Sequence, residues 1–156
     1  MIKKEILIIC ESVHHGNTMK VAQAIGEVLA AKIIKPLDFN EKLIDDYDLI
    51  GFGSGIYGGA HDKSLLDLAD KLEALKDKKA FIFSTSMFRM SVMHKTLRDI
   101  LIKKGFDIIG EFHCKGFADY NILKYLFGGV NKGRPNKKDL KSARAFAKKL
   151  EEKTDS

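Results

Sequence analysis

The sequence predicts an α/β fold of the doubly wound class, in which a five-stranded open parallel sheet carries helices on both faces. Two observations predict it. Short, continuously apolar runs are typical of parallel strands buried on both sides, and these runs alternate with amphipathic helical segments. The chain has 156 residues, 45% hydrophobic and 31% charged, which is typical of one packed domain. We therefore predict a single domain over residues 1–156.

The amino-terminal half contains three predicted strands. Residues 5–10 (EILIIC) form a buried central strand, and residues 32–37 form an edge strand that Pro36 ends. Residues 49–53 (LIGFG) form a second buried strand. A helix over residues 17–31 follows the first strand, since its apolar residues recur at helical spacing. The helix after the third strand has four leucines on one face: Leu65, Leu68, Leu72 and Leu75.

The carboxyl-terminal half contains two more strands, at residues 80–83 (AFIF) and 108–114. The last helix begins near Asn136, which forms a capping-box pattern with Asp139. The helix between the two strands carries Met93, Leu97, Ile100 and Leu101, and the last helix turns Leu140, Ala143, Ala147 and Leu150 inward.

A doubly wound fold binds its ligand at the carboxyl ends of the strands, where the strand order reverses. The loops expected at that edge begin at Ser12, Ser54, Ser84 and Lys115. The loop over residues 12–18 leads from the first strand into the first helix. Its hydroxyls, its glycine and the amides of the helix start suit a phosphate group, and helix capping alone is the alternative.

Other chemistries for this loop are excluded by its residues. It lacks the lysine of G-x-x-x-x-G-K-[ST] and the spacing of G-x-G-x-x-G. A cysteine phosphatase would need an arginine near Cys10 to hold the phosphoryl group, and residues 11–18 contain none. The adjacent histidines His14 and His15 have no second cluster of ligands nearby. We predict no metal and no catalytic residue.

The motif Ser12-x-x-x-Gly16-Asn17-Thr18 resembles the phosphate loop of the flavodoxin family, whose common form is Ser/Thr-x-Thr-Gly-Asn-Thr. The loop is one residue longer here. Residues 47–54 (YDLIGFGS) resemble the family's third strand and flavin loop, and residues 83–86 (FSTS) its fourth strand and second flavin loop. Residues 115–136 resemble a branch of flavodoxin-domain proteins other than the best-known short ones. The resemblance implies the flavodoxin-like strand order 2-1-3-4-5.

The resemblance also implies that flavin mononucleotide (FMN) is the cofactor and that three loops bind it. The first would hold the phosphate and contains Ser12, Val13, His14, His15, Gly16, Asn17 and Thr18. The other two would enclose the isoalloxazine ring, with Ser54, Gly55, Ile56, Tyr57 and Gly58 on one side and Ser84, Thr85, Ser86, Met87 and Phe88 on the other. The chain has no tryptophan, so Tyr57 and Phe88 are the candidates for stacking on the ring; covering apolar core is the alternative for each.

The function that the resemblance implies is electron transfer, with the protein shuttling electrons between redox partners. Two alternatives stay open. One is an FMN-dependent reductase or oxidase of flavodoxin fold that acts on a quinone or another small acceptor. The other is a flavin-free regulatory or binding domain, which would be colourless. Turnover with free acceptors would distinguish the enzyme from the carrier.

The basic excess of the chain lies at its carboxyl-terminal end. Residues 1–114 carry sixteen basic and sixteen acidic side chains, and residues 115–156 carry eleven and five. This predicts an acidic redox partner, with a solvated lysine-rich helix as the alternative.

The long segment over residues 115–136 is expected to form either a lid over the flavin ring or an excursion on the surface. It contains basic and aromatic side chains: Lys115, Lys124, Lys132, Arg134, Phe117, Tyr120, Tyr125 and Phe127.

No apolar stretch approaches the length of a membrane span, and no secretion signal is recognisable. We expect a cytosolic protein with no membrane and no nucleic-acid partner.

The two cysteines would lie three strands apart, about 14 Å, which exceeds the ~7 Å that a disulfide can bridge. We expect no bond between Cys10 and Cys114.

Overall fold

The computed structural model describes residues 3–13, 16–88, 91–117, 129 and 131–155. These residues form a six-stranded sheet with four helices. The strands are β1 (Ile6–Glu11), β2 (Lys32–Ile34), β3 (Leu49–Tyr57), β4 (Ala60–His61), β5 (Lys78–Ser86) and β6 (Phe106–Lys115). The helices are α1 (Asn17–Leu29), α2 (Lys63–Lys71), α3 (Lys95–Lys103) and α4 (Lys137–Thr154), and 3-10 turns span Pro36–Asp38, Glu41–Asp46 and Ser91–His94.

Five strands run parallel in the order β2-β1-β3-β5-β6, and the short β4 pairs antiparallel with the end of β3. Taken without β4, this is the predicted order 2-1-3-4-5, so the predicted doubly wound fold is confirmed. The strand order reverses between β1 and β3, as a doubly wound sheet requires. Among the described residues no helix is long and apolar enough to cross a membrane.

Each face of the sheet has its own apolar core, because successive side chains of a strand point to opposite faces. The core under α1 and α4 contains Ile8, Cys10, Phe81 and Phe83 from the strands. The core under α2 and α3 contains Leu7, Ile9, Phe52 and Ile82. The helices contribute the residues that their spacing predicts, among them Val21, Ile25, Leu65, Leu97, Leu101, Ala143 and Leu150.

The strands are longer than the sequence predicts at the functional edge. β3 continues through residues 55–57, which were predicted to form a loop. Gly55 pairs with Thr85 of β5, and Ile56 and Tyr57 pair with β4 after the chain turns back at Gly58 and Gly59. Both glycines have positive φ, of 59° and 82°, which suits a tight turn. Ser84–Ser86 belong to β5 for a similar reason, since they pair with β6.

Several boundaries of strands and helices also differ from the sequence prediction. The edge strand β2 ends at Ile34 rather than at residue 37, and Pro36 begins a 3-10 turn, where a fixed φ is favourable. Leu75 lies beyond the end of α2. Met93 lies in the 3-10 turn that precedes α3. The capping box predicted at Asn136 is present, with reciprocal hydrogen bonds between Asn136 and Asp139.

Two glycines of β3 make room for aromatic rings. An added Cβ at Gly51 would lie 2.2 Å from the ring of Phe81, and one at Gly53 would lie 2.2 Å from the ring of Phe83. Both rings are fully buried. Because a packed core cannot yield that much space, these two positions accept only glycine without a rearrangement.

We expect Gly51→Ala to lower the free energy of unfolding by about 1–3 kcal/mol, as overpacking does in other cores. Urea unfolding measures it. Gly26→Ala in α1 is the matched control, since its added Cβ would meet the flexible end of Ile33 at 3.2 Å and alanine favours a helix. Equal stability of Gly51→Ala and wild type would contradict the close approach of Phe81.

Candidate functional site

A pocket opens at the carboxyl edge of the sheet, where β1, β3 and β5 end. Ten residues of the predicted loops line it: Ser12, Val13, Asn17, Thr18, Gly55, Ile56, Tyr57, Thr85, Ser86 and Met87. Gly116 and Phe117, which follow β6, complete the wall. Of the other predicted residues, Gly16, Ser54, Gly58, Ser84 and Phe88 do not line it, and His14 and His15 lie outside the described residues.

The start of α1 faces this pocket with features that suit an anion. Gly16 precedes the helix in a left-handed conformation (φ 63°, ψ 21°) and has no side chain with which to cap it. The first turn contains no acidic residue. The Ser12 hydroxyl accepts a hydrogen bond from the Met19 amide at 3.2 Å, and the Thr18 and Thr85 hydroxyls lie 2.7 Å apart. Amides at a helix start attract negative charge.

Asn17 joins the first loop to the segment after β6. Its Nδ2 donates to the Phe117 carbonyl at 2.8 Å, whereas its buried Oδ1 has no partner among the described residues. A Cβ at Gly116 would lie 2.8 Å from Asn17 Nδ2, so glycine allows the close approach. The free acceptor would suit a hydroxyl of a ligand.

Tyr57 covers the floor of the pocket. Its hydroxyl lies 2.6 Å from where a Cβ of Gly55 would be, so the side chain folds back over its own strand. The pocket has a volume of about 20 Å³, room for about one water. A flat ring system would have to lie in the open mouth between the ends of β3 and β5, or displace Tyr57. Phe88 is 61% exposed.

The segment before α4 also reaches the pocket loops. Asn131 Nδ2 donates to the Met87 carbonyl at 3.0 Å, and the Phe117 amide donates to the Arg134 carbonyl at 2.9 Å. Arg134 itself forms a bidentate ion pair with Asp139. The carboxyl-terminal part of residues 115–136, predicted to be a lid or a surface excursion, thus contacts the chain just after β5. Tyr120, Lys124, Tyr125 and Phe127 lie outside the described residues.

A buried polar network lies beneath the pocket, on the α2 and α3 face. Ser84 Oγ and His94 Nε2 lie 2.6 Å apart, and His94 Nδ1 lies 2.9 Å from Glu111 Oε1. Arg98 holds the carboxylate of Glu111 with two hydrogen bonds of 2.8 and 2.7 Å. The network thus connects a strand end beside the pocket with an ion pair near the surface.

A second serine–histidine pair lies next to the first. Ser54 Oγ lies 2.9 Å from His61 Nδ1, and the rings of His61 and His94 are 5.0 Å apart. The ring of His113 lies 5.8 Å from that of His94. Three histidines from β4, the 3-10 turn before α3 and β6 therefore meet at one place. Among the described residues no group of three or more potential ligands could hold a metal ion.

Burial controls the protonation of these histidines. Burial, together with neighbouring His94, lowers the pKa of His61 to about 3. Burial also lowers the pKa of His94, against the hydrogen bond and charge of Glu111, which raise it. Burial raises the pKa of Glu111, but the bonds from Arg98 and His94 outweigh burial and lower it overall. At neutral pH the network therefore contains neutral imidazoles and an ionised carboxylate.

The network of serines, histidines, Glu111 and Arg98 was not predicted from the sequence. Only Ser54 and Ser84 were predicted site residues, as members of loops; the residues not predicted are His61, His94, His113, Glu111 and Arg98. The available signal was that both serines follow a buried strand at equivalent positions. Since the parallel register sets Ser54 beside Ser84 and Ser84 beside His113, a polar row across three strands was deducible once the strand order was known.

The cysteines are buried free thiols in the described structure. β3 and β5 lie between the strands that carry them. Burial, together with Glu11, raises the pKa of Cys10 to about 12. The Cys10 thiol is therefore protonated and is no nucleophile.

The fold and the pocket define a doubly wound α/β protein with a pocket at its strand-order switch point. A family described as "Flavodoxin domain" matches residues 7–122. The chain therefore belongs to the flavodoxin domain family, and the predicted resemblance is confirmed. Family and fold support a flavin-binding, electron-transfer role in general terms.

Known proteins resemble the chain along nearly its whole length. An uncharacterized protein of Methanocaldococcus jannaschii is 51% identical over 146 residues, which is 92% of this chain and 96% of that protein. Oxidised Flavodoxin 2 of Bacillus cereus matches with a TM-score of 0.71 at 18% identity, covering 96% and 99% of the two chains. A Fusobacterium nucleatum flavodoxin bound to flavin mononucleotide matches with a TM-score of 0.67 at 16% identity, covering 96% and 98%.

We expect the protein to lose stability as the pH falls below about 6.5, the pKa of an unfolded histidine. The unfolded chain then takes up protons that folded His61 cannot, since its pKa lies near 3. The free energy of unfolding should fall by up to about 1.4 kcal/mol per pH unit for this one group.

Urea unfolding of the ligand-free protein between about pH 7.5 and pH 5 measures this loss. His61→Asn keeps a donor for Ser54 but cannot titrate, so its stability should depend less steeply on pH. Identical pH slopes for wild type and His61→Asn would show that His61 is not held neutral by the fold.

Proposed function

We propose that this protein binds FMN at the carboxyl edge of its sheet and carries electrons between redox partner proteins in the cytosol. The start of α1 is the observation on which the proposal rests. There the loop over residues 12–18, with the family's Gly16-Asn17-Thr18, leads into a helix start on the pocket wall whose N-cap residue, Gly16, makes no side-chain cap. Family membership supports a flavin as the ligand, and the helix start favours one that ends in phosphate.

The residues present fit FMN as follows. The amides at the start of α1, with the Thr18 and Ser12 hydroxyls, would hold the phosphate. The free Oδ1 of Asn17 would accept a hydrogen bond from a ligand hydroxyl. The ring would lie between the end of β3, at Gly55 and Tyr57, and the end of β5, at Met87. Bound FMN supplies the capacity to accept and return electrons, which the side chains lack.

The chain itself would orient the cofactor and set its electrostatic surroundings. Gly55 has no side chain, so the backbone of β3 can approach a ring closely. Tyr57 is the stacking candidate that lines the pocket, whereas Phe88 does not line it. Because the Thr18 and Thr85 hydroxyls bond to each other, a phosphate would exchange one interaction for another rather than fill an empty cavity.

An acidic partner is part of the proposal. Six lysines of α4 are exposed: Lys137, Lys138, Lys141, Lys148, Lys149 and Lys153. Lys153 donates to the Ile109 carbonyl. Arg144 is engaged with Glu27 at 3.5 Å. A one-sided positive face accelerates association with a negatively charged protein through long-range attraction, and salt screens that attraction.

We expect Gly16→Val combined with Thr18→Ala to weaken FMN binding more than tenfold, or about 1.4 kcal/mol. Valine cannot adopt φ +63° without strain, and alanine removes a donor. Calorimetric titration with FMN measures the affinity. Thr18→Ser retains the hydroxyl and should bind nearly as wild type. Unchanged affinity in the double variant would disprove the placement of the phosphate.

The spectrum of the FMN-loaded protein during anaerobic reduction tests the carrier role. We expect two separate one-electron potentials and slow turnover with free quinones. Rapid turnover with a quinone would favour the reductase instead. A protein that retains no flavin after gel filtration would contradict both and leave a regulatory or binding domain.

We expect the association rate with an acidic redox protein to fall as salt rises. Replacing Lys137, Lys141 and Lys148 with glutamine should slow association at low salt and reduce the salt dependence. Stopped-flow electron transfer to an acidic protein of known potential measures the rate. Lys32→Gln in β2 is a control with the same chemical change elsewhere. An unchanged salt slope in the triple variant would exclude α4 as the docking face.

A further inference from the structure

The polar row beneath the pocket is built from two serine–histidine pairs. Ser54 and Ser84 are register neighbours on β3 and β5, and each directly precedes a residue that lines the pocket, Gly55 or Thr85. His61 is 3% exposed and His94 is fully buried. The row therefore separates the pocket from the apolar core on the α2 and α3 face.

The hydrogen bonds define where each proton resides around Ser54. Its hydroxyl donates to the Gly55 carbonyl at 2.6 Å and accepts from the Asp62 amide at 2.9 Å. Since a hydroxyl has only one hydrogen, His61 Nδ1 must donate to it. The other ring nitrogen, Nε2, then presents a lone pair, and it has no partner among the described residues.

The same reasoning applies to the second pair. Glu111 is held as a carboxylate by Arg98, so His94 Nδ1 donates to it. In the neutral ring Nε2 is the acceptor, and the Ser84 hydroxyl donates to it. Glu111 would stabilise an imidazolium at His94, as an acidic group does whenever it bonds the far side of a histidine.

This arrangement has the connectivity of a hydrolytic triad, but its environment points elsewhere. Ser84 is 1% exposed and does not line the pocket at the sheet edge. A nucleophile must reach its substrate. The network can instead receive a proton at His94 without moving any heavy atom, because Ser84 reverses its bond from donor to acceptor.

We infer that this histidine network is a proton-accepting site that compensates negative charge in the pocket above it. The inference rests on the proposed function, which brings that charge as electrons from a reductant. For one electron that enters the pocket, one proton passes from bulk water to His94 Nε2. The net charge of the protein and its ligand is then unchanged, and the Nδ1–H bond to Glu111 persists.

Water can reach the outer end of the network. Glu111 has a side chain 26% exposed and lines a cavity of about 240 Å³ at the β6 edge, between β6 and α4. His113 lines the same cavity, and its ring lies against that of His94. The carboxylate end of the network is therefore open to solvent on a side away from the ligand pocket.

The charged neighbours set the direction in which His94 responds. Glu111 from β6 favours the imidazolium, whereas Arg98 from α3 and a protonated His113 from β6 oppose it. His61 from β4 faces His94. Asp99 from α3 acts on Arg98, and the side chain of Asp62 caps α2. Negative charge in the pocket adds to the effect of Glu111 and shifts the balance toward protonation.

The test follows the imidazole ¹⁵N resonances of histidine-labelled, FMN-loaded protein from about pH 5 to pH 9, oxidised and reduced with dithionite. His94→Gln identifies the His94 signals. We expect neutral His94 in the oxidised protein and a titration midpoint at least one pH unit higher after reduction, a tenfold gain in proton affinity. The reduction potential of the FMN-loaded wild type should fall by up to about 59 mV for each unit of increase in pH, because one proton is taken up with one electron.

Two variants should move the reduced-state midpoint in opposite directions. Glu111→Gln keeps an acceptor for His94 but removes the charge, so the midpoint should fall. Arg98→Gln removes an opposing charge, so it should rise. Arg144→Gln disrupts an ion pair on the opposite face and should change nothing.

The outcomes separate this inference from the proposed function. If FMN is bound and reduced but His94 titrates at the same pH in both states, the proton-accepting site is disproved and the cofactor assignment stands. If no FMN is retained, both fail. If Glu111→Gln does not fold, the titration midpoints of His94 in oxidised and reduced wild type still show whether His94 gains proton affinity on reduction.

Discussion

The parallel pairing of β3 with β5 is the constraint on which the rest of the structure depends. Its register sets Gly55 beside Thr85 at the pocket and Ser54 beside Ser84 below it. The same pairing places the rings of Phe81 and Phe83 over glycines of β3. A slip of one residue would turn the serines into the α1 core. Core packing thus fixes the register, and the register fixes the site.

Fold and pocket walls were largely predictable from the sequence, since they depend on local patterns. Buried parallel strands are recognisable as apolar runs, and the Asn136 capping box defines the start of α4. The ends of β3 and β5 were not predictable, because Ile56 and Tyr57 become strand through pairing with β4 and the end of β5 does so through pairing with β6. Such pairing is a tertiary effect that overrides local propensity.

The histidine network was unpredictable for a different reason. His61, His94 and His113 are widely spaced along the chain and follow no periodicity, and each belongs to a different element. Their proximity arises only when the hairpin at Gly58 returns His61 over Ser54 and the 3-10 turn brings His94 over Ser84. Each buried imidazole pairs with a serine hydroxyl at a strand end, because buried polar groups need hydrogen-bond partners.

The burial of both cysteines has a practical consequence. Cys10 and Cys114 are 0% and 3% exposed, and a buried thiol is shielded from electrophiles. The native chain therefore presents almost no background to maleimide reagents. A single cysteine introduced on an exposed helix position would take a fluorophore or spin label selectively, so distances between the pocket edge and a docked partner could be measured without first removing the native thiols.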